Sequence, residues 1–254
     1  MKAEEFSHGN SLFHDLDPRV KIIVTTLFSI IVAVSDRTEV LLLALVFSVC
    51  CIVVSRLSLK MVIERLLLVN GFILLLWIFL PFTYPGKTLF SLGPFYASEE
   101  GVLYALSITI KSNTIILASI ALLGTTPIFT LAHALRHLFV PDKLIQLLFF
   151  AYRYIYVIYF EYIRLVNAMK VRCFRPRSDL HTYKAYAHLV GMVMLKSYDR
   201  SERVYDAMLC RGFKGKFWVL DHFRLKRGDL ISFIIMLIYL TGLGFLQWGK
   251  GLFS

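Results

Sequence analysis

Between Arg65 and Lys87 lie 21 consecutive residues without a charge, and between Asp229 and Lys250 lie another 20. About 20 apolar residues in a helix cover the roughly 30 Å hydrocarbon core of a bilayer. These two runs therefore predict a membrane protein before any motif is read. Two shorter uncharged runs precede them, 14 residues between Lys21 and Asp36 and 16 between Glu39 and Arg56. Such lengths span only if the flanking Lys21 and Arg56 snorkel or the bilayer thins. A fifth candidate, Gly101–Leu123, carries Lys111 near its middle. An ionisable residue at that depth faces the bundle interior or a polar cavity, and a structural role for Lys111 is expected ahead of contact with a transported molecule.

Composition agrees with this reading. In 254 residues, 57% are hydrophobic and 18% charged, with a mean hydropathy of +0.67. An average soluble domain carries about 25% charged residues. Disordered, collagen-like and disulfide-stapled classes are excluded by high hydrophobicity, aperiodic glycine and sparse cysteine. The expected fold is all-α: a polytopic membrane protein with about five transmembrane helices and two long cytoplasmic helices. Residues 1–123 form an N-terminal membrane domain of four spans, 124–228 a cytoplasmic region, and 229–254 a last span. The polar, acidic N-terminus is no secretory signal peptide.

Loop charge sets the expected orientation. The segment 55–65 carries Arg56, Lys60 and Arg65 against Glu64, which predicts a cytoplasmic position. Asp36-Arg37 and the loop 83–100 are poor in basic residues and are expected outside. Pro81, Pro85-Gly86 and Gly93-Pro94 punctuate that outer loop, and Gly124-Thr125-Thr126-Pro127 closes the fourth span. The N-terminus and 124–228 then lie inside, at the inner face of the cell membrane, and Ser254 lies outside.

The chain has 28 Lys and Arg against 17 Asp and Glu, and residues 153–228 hold 16 of the basic residues with only six acidic ones. Nucleic acid, anionic lipid and an acidic protein partner compete for such a block. Nucleic acid fits least, since apolar helices interrupt the charge and no binding motif is present. Within 124–228, Phe129–Val140 reads as a short amphipathic helix on the membrane surface. Two long helices follow, Lys143–Cys173 after Pro141 and about Tyr183–Arg211. Each is expected to be buried at its start and exposed at its end. Cys50, Cys51, Cys173 and Cys210 have no metal-ligand spacing, and Cys50 and Cys51 are expected as buried free thiols.

The two long helices end alike. Ala168-Met169-Lys170-Val171-Arg172-Cys173-Phe174 and Ala207-Met208-Leu209-Cys210-Arg211-Gly212-Phe213 share Ala-Met-x-x-Arg-x-Phe. Arginine at a helix C-terminus gains about 0.3–1 kcal/mol from the dipole without any partner. Repetition of the flanking residues points beyond that, to a paired docking device.

The sequence resembles the T component of energy-coupling factor (ECF) transporters, and within it the CbiQ-type proteins of cobalt uptake. The resemblance rests on Ser11-Leu12-Phe13-His14-Asp15-Leu16-Asp17-Pro18-Arg19-Val20-Lys21, on Pro141, Arg153-Tyr154 and Glu161, and on Ser201-Glu202-Arg203-Val204-Tyr205-Asp206-Ala207-Met208. It covers nearly the whole chain. The family's signature is a pair of Ala-Arg-Gly triplets at the ends of two cytoplasmic coupling helices, each docking in a groove of one ATP-binding subunit. By position, the triplets here are Val171-Arg172-Cys173 and Cys210-Arg211-Gly212, supported by Ala168, Phe174, Ala207 and Phe213. Both arginines are kept. Alanine is replaced in both triplets and glycine in the first, which bears on the tight helix ending that glycine permits.

The resemblance implies two ATP-binding cassette ATPase subunits as partners, with membrane lipid and a substrate-binding S component, CbiM-like and accompanied by a CbiN-like protein. It also implies a non-catalytic permease subunit without a cofactor, for cobalt or alternatively for nickel or a vitamin. The sequence contains no GxxxxGK[ST] phosphate loop of its own. A rival of another class is an intramembrane metalloenzyme using His133 and His137 at i, i+4. Ala134 stands where the HExxH pattern has glutamate, so surface histidines are expected instead. His8 and His14 are expected as loose histidines, since metal capture in the family belongs to the S component. A second rival, a scaffold with a basic lipid-binding face, would leave the repeated tips unexplained.

Overall fold

The computed structural model describes residues 9, 11–84, 87–92, 95–138, 140–215 and 227–248. His8, Pro85-Gly86, Gly93-Pro94, the basic residues between 216 and 226, and Ser254 lie outside the described residues. The elements are α1 (Leu12–Asp15), α2 (Pro18–Val34), α3 (Thr38–Ser55), α4 (Leu59–Thr83), β1 (Thr88–Leu92), β2 (Phe95–Ser98), α5 (Glu99–Leu122), α6 (Ile128–Arg136), α7 (Asp142–Val171), α8 (Leu180–Cys210) and α9 (Arg227–Trp248). The protein is an all-α membrane protein apart from one hairpin. β1 and β2 pair antiparallel, with Ser91 opposite Tyr96 and Leu92 opposite Phe95, where the sequence reading had only a loop. α4 also runs through Pro81 to Thr83 instead of stopping at the proline. Pro81 sits in the last turn, and its carbonyl accepts from Ser98 Oγ at 3.4 Å.

Two compact units emerge, residues 1–134 with 223–254 and residues 135–222. In the first, α5 packs against α2, α3 and α4, and α9 packs against α2 and α3. Local sequence explains the close approach of α3 and α5. Ala44, Ser48, Cys51 and Ser55 recur on one side of α3, and Thr114, Ala118 and Ala121 on one side of α5, all of them buried. Small residues let backbones approach, and hydroxyls then bond across the gap. Ser48 Oγ donates to Thr114 O at 3.0 Å, and seven residues on, Ser55 Oγ donates to Ala121 O at 3.3 Å. The matched advance makes α3 and α5 parallel.

Other contacts orient the remaining helices. Lys21 at the start of α2 donates to Thr126 beyond the end of α5 at 2.7 Å, so α2 is antiparallel to α5. Ser35 and Arg37 at the other end of α2 reach Gln247 Oε1 at 2.9 Å and Leu246 O at 2.7 Å, at the end of α9. With Trp77 Nε1 donating to Thr109 Oγ1 at 2.9 Å, the end of α4 sits by the first half of α5. The starts of α2, α4 and α9 and the ends of α3 and α5 therefore share one side of the bundle.

By length and apolar composition, five helices are able to cross a membrane: α3, α4, α5, α7 and α9. Four of these are the expected spans. α2 was expected as the fifth but has 17 residues, about 25 Å, whereas α7 qualifies although the sequence reading made it a cytoplasmic helix. α2 nonetheless lies along α5 and α9, with Val24, Phe28 and Val32 fully buried among them.

Three expectations about single residues need correction. Cys50 is exposed and only Cys51 is buried, since the two neighbours point to different sides of α3. His133 is a buried residue on the inner arc of α6, flanked by buried Ala132 and Ala134, and His137 lies exposed past the helix end. The pair therefore does not share one helix face. His14 is tied by Ser11 Oγ at 2.7 Å to its Nδ1, so it is not loose.

Lys111 donates to Ala33 O and pairs with Asp36 Oδ1, each at 3.2 Å. It ties α5 to the end of α2, as a structural lysine would. Asp36 is 88% exposed, which keeps the ion pair weak. Lys111→Met should therefore cost less than about 1 kcal/mol, read as a small drop in melting temperature of the detergent-solubilised protein. A collapse of the folded population would contradict this assignment.

Candidate functional site

The second unit contains α7 and α8, of 30 and 31 residues. α7 begins after Pro141, whose missing N–H makes it a natural helix entry, and α8 begins three residues earlier than the sequence reading placed it. Thr182 Oγ1 accepts from Arg177 N at 3.1 Å, which fixes the chain as it enters the helix. Few side chains are buried here: Ile145 and Glu161 on α7, Thr182 and Leu189 on α8. The expectation that each helix is buried at its start therefore fails for the chain by itself. Leu144, Leu147, Leu180 and Tyr183 in the first turns are all exposed.

A polar clasp joins the helices. Glu161, 8% exposed, accepts from Lys196 Nζ of α8 at 2.5 Å and from Arg164 Nη1 at 3.0 Å. Gln146 Nε2 donates to Gly215 O at 3.1 Å, and Phe174 packs against His181 and Tyr186. The pairings run in opposite senses along the two chains, so the helices are antiparallel. Arg172 thus lies beside the start of α8 and Arg211 at its end. The intervening helix puts them about 45 Å apart.

Both tips close with the same hydrogen bonds. At the first, Cys173 N donates to Lys170 O at 3.0 Å and Phe174 N to Met169 O at 3.1 Å. At the second, Gly212 N donates to Leu209 O at 2.9 Å and Phe213 N to Met208 O at 3.0 Å. This is the double-bonded left-handed helix stop, with Met and Phe at the two positions that flank it. Gly212 has φ +78° as such a stop requires, and Cys173 takes φ +59° without glycine's freedom. The tight ending therefore survives the loss of glycine in the first triplet. Exposure also matches: Ala168, Val171, Arg172 and Cys173 are exposed with Met169 and Phe174 half-buried, as are Ala207, Cys210, Arg211 and Gly212 with Met208 and Phe213. Val171 stands 84% exposed.

Each tip borders a basic groove. One of about 600 Å³ is lined by Arg172, Arg175 and Arg177 with Asp179. One of about 1010 Å³ is lined by Arg153, Arg200, Arg203, Arg211 and Lys214 without a carboxylate. The sequence reading named the arginines of the tips but not Arg153, Arg200 and Arg203 as their neighbours. Their spacing on α8, with Ala207 and Arg211, marks one helical arc. Among the described residues no group of three or more His, Cys, Asp or Glu could hold a metal ion.

Left-handed φ costs a non-glycine residue about 1–2 kcal/mol. Cys173→Gly should therefore keep or tighten the first tip, while Gly212→Val should fray the second. Limited proteolysis around residues 172–175 and 211–215 would read this, and equal cleavage of Gly212→Val and the parent would refute it.

The family of cobalt transport proteins, CbiQ, matches residues 9–219. An energy-coupling factor transporter transmembrane protein EcfT of Leuconostoc gelidum subsp. gasicomitatum is 29% identical, covering 91% of this chain and 93% of its own. The EcfT of Lactococcus lactis subsp. cremoris is 26% identical, covering 95% of each chain. An uncharacterised protein of Methanocaldococcus jannaschii is 24% identical over 94% of this chain and 84% of its own.

Proposed function

The chain belongs to the CbiQ family of cobalt transport proteins, and from that membership we propose that it is the transmembrane coupling (T) subunit of an ATP-driven ECF uptake transporter, importing cobalt. The observation that carries the proposal is the pair of identical helix stops at opposite ends of α8, each presenting one exposed arginine. In this reading Val171-Arg172-Cys173 and Cys210-Arg211-Gly212 dock one on each of two ATP-binding cassette ATPases. A separation of about 45 Å suits one contact per subunit of a pair. Motion of the ATPases on binding and hydrolysing ATP passes through α7 and α8 to the membrane helices. These then reorient a CbiM-like S component, with its CbiN-like companion, which binds the cobalt. Catalysis resides on the ATPases, and this subunit is non-catalytic.

The same reading makes α2, α3, α4, α5 and α9 the five spans of an inner-membrane protein, with 124–228 cytoplasmic. The alternation of α2 to α5 supports it, as does the parallel run of α2 and α9. Single cysteines at Ser91 and Ser178, in a background without the four native ones, test it on intact cells. An impermeant thiol reagent should label Ser91→Cys and spare Ser178→Cys. The reverse pattern would overturn the orientation.

Truncating one member of a buried charge pair costs about 2–5 kcal/mol. Arg172→Ala or Arg211→Ala should therefore weaken a two-point attachment, and the double variant should release the ATPases and abolish uptake. Lysine should rescue poorly, lacking the planar fork. Co-purification and ATP-dependent cobalt uptake, with membrane insertion checked, measure this. A double variant that holds both ATPases and transports normally would refute the docking role.

A further inference from the structure

The groove at the second tip has a charged half and an apolar half. Arg200, Arg203 and Arg211 fall on one arc of α8, and Arg153 of α7 and Lys214 complete a wall of five cations. None of the five makes an ion pair among the described residues. Asp199, Glu202 and Asp206 occupy a different arc of α8 and do not line the groove. Phe150, Tyr154, Val204 and Met208 continue from this basic wall into an adjoining groove of about 660 Å³, extended by Leu147 and Ile158. A ligand filling both would carry an anionic head and a hydrocarbon tail.

The setting of α7 favours a lipid as that ligand. The helix is apolar enough to enter a membrane and exposes Leu144, Leu147, Ile155, Ile158 and Phe160. Tyr152, Tyr154, Tyr156, Tyr159 and Tyr162 crowd its middle, and tyrosine gathers at the headgroup level of bilayers. Clustered Lys and Arg beside such a surface attract anionic headgroups. An acidic protein segment would match the cations but would leave the adjoining apolar groove empty. We propose that the groove between α7 and α8 seats one anionic phospholipid, its phosphate among Arg153, Arg200 and Arg203 and an acyl chain along Leu147, Phe150 and Ile158. This site is separate from the tip arginines' contact with the ATPases and does not depend on that contact being right.

Native mass spectrometry of the full-length protein from nanodiscs of equal phosphatidylglycerol and phosphatidylcholine tests it. The parent protein should retain phosphatidylglycerol in preference to phosphatidylcholine, one molecule most tightly. Arg153→Ala, Arg200→Ala and Arg203→Ala should each lower that retention roughly fivefold, whereas Asp199→Asn with Glu202→Gln should leave it unchanged. Should an arginine variant misfold, the parent alone decides the matter by its preference between the two headgroups. Equal retention of both lipids by the parent would overturn the proposal. So would undiminished retention in folded arginine variants, or variants that lose ATPases on co-purification while keeping the lipid, which would make the groove a protein-docking surface.

Discussion

Glu161 holds α7 to α8 across a contact that buries little else, and the placing of both tips follows from it. Its carboxylate meets Lys196 of the other helix and Arg164 of its own, so the register between helices is set by charge and geometry more than by apolar packing. Such a contact tolerates little substitution, because removing one partner leaves a buried charge unmatched. It also leaves the apolar sides of both helices unoccupied. Ile155, Ile158, Phe160, Val190, Met194 and Leu195 are all exposed in the isolated chain, on a scale that marks interaction surface. A subunit meant to work between a membrane and other proteins would keep its helices in this state.

The membrane unit is organised on the opposite principle. Small residues bring α3 and α5 into close contact, and Ala118 and Ala121 are completely buried. Its one fully buried long cation, Lys21, is 1% exposed and donates to Thr126, with Asp15, Asp17 and Asp229 acting on its charge. Asp17 also caps α2 by accepting from Arg19 N at 2.9 Å. The Leu-Asp-Pro-Arg segment therefore starts α2, with Pro18 at the first helical position, and also anchors the corner where α2, the end of α5 and the start of α9 meet.

How much of this was legible in the sequence depended on whether the signal was local. Uncharged runs gave the spans, because hydrocarbon thickness imposes length directly. The tip repeat was visible as a pattern, but its physical meaning was not. Met169 and Phe174, like Met208 and Phe213, are the partners of the helix stop itself, and Cys173 concealed this by standing where glycine is expected. Lys111 could be recognised as structural, yet Asp36 was not identifiable as its partner, because the pairing joins residues far apart in the chain. His133 was misread for a similar reason. Amphipathic periodicity tells which residues share an arc, and only packing tells which arc is buried.

The two tips are alike in backbone and unlike in surroundings, and the difference has a consequence for recognition. Identical stops present the same local shape, so on the proposed reading each can enter the same kind of acidic groove. The first arginine is accompanied by Arg175, Arg177 and the carboxylate of Asp179, the second by four cations and no carboxylate. Attraction between exposed charges falls with ionic strength, and it falls further for the partner whose contact relies on more of them. The second tip should therefore be the more salt-sensitive of two otherwise equivalent contacts. A pair of identical ATPases would then be held unequally by one asymmetric chain.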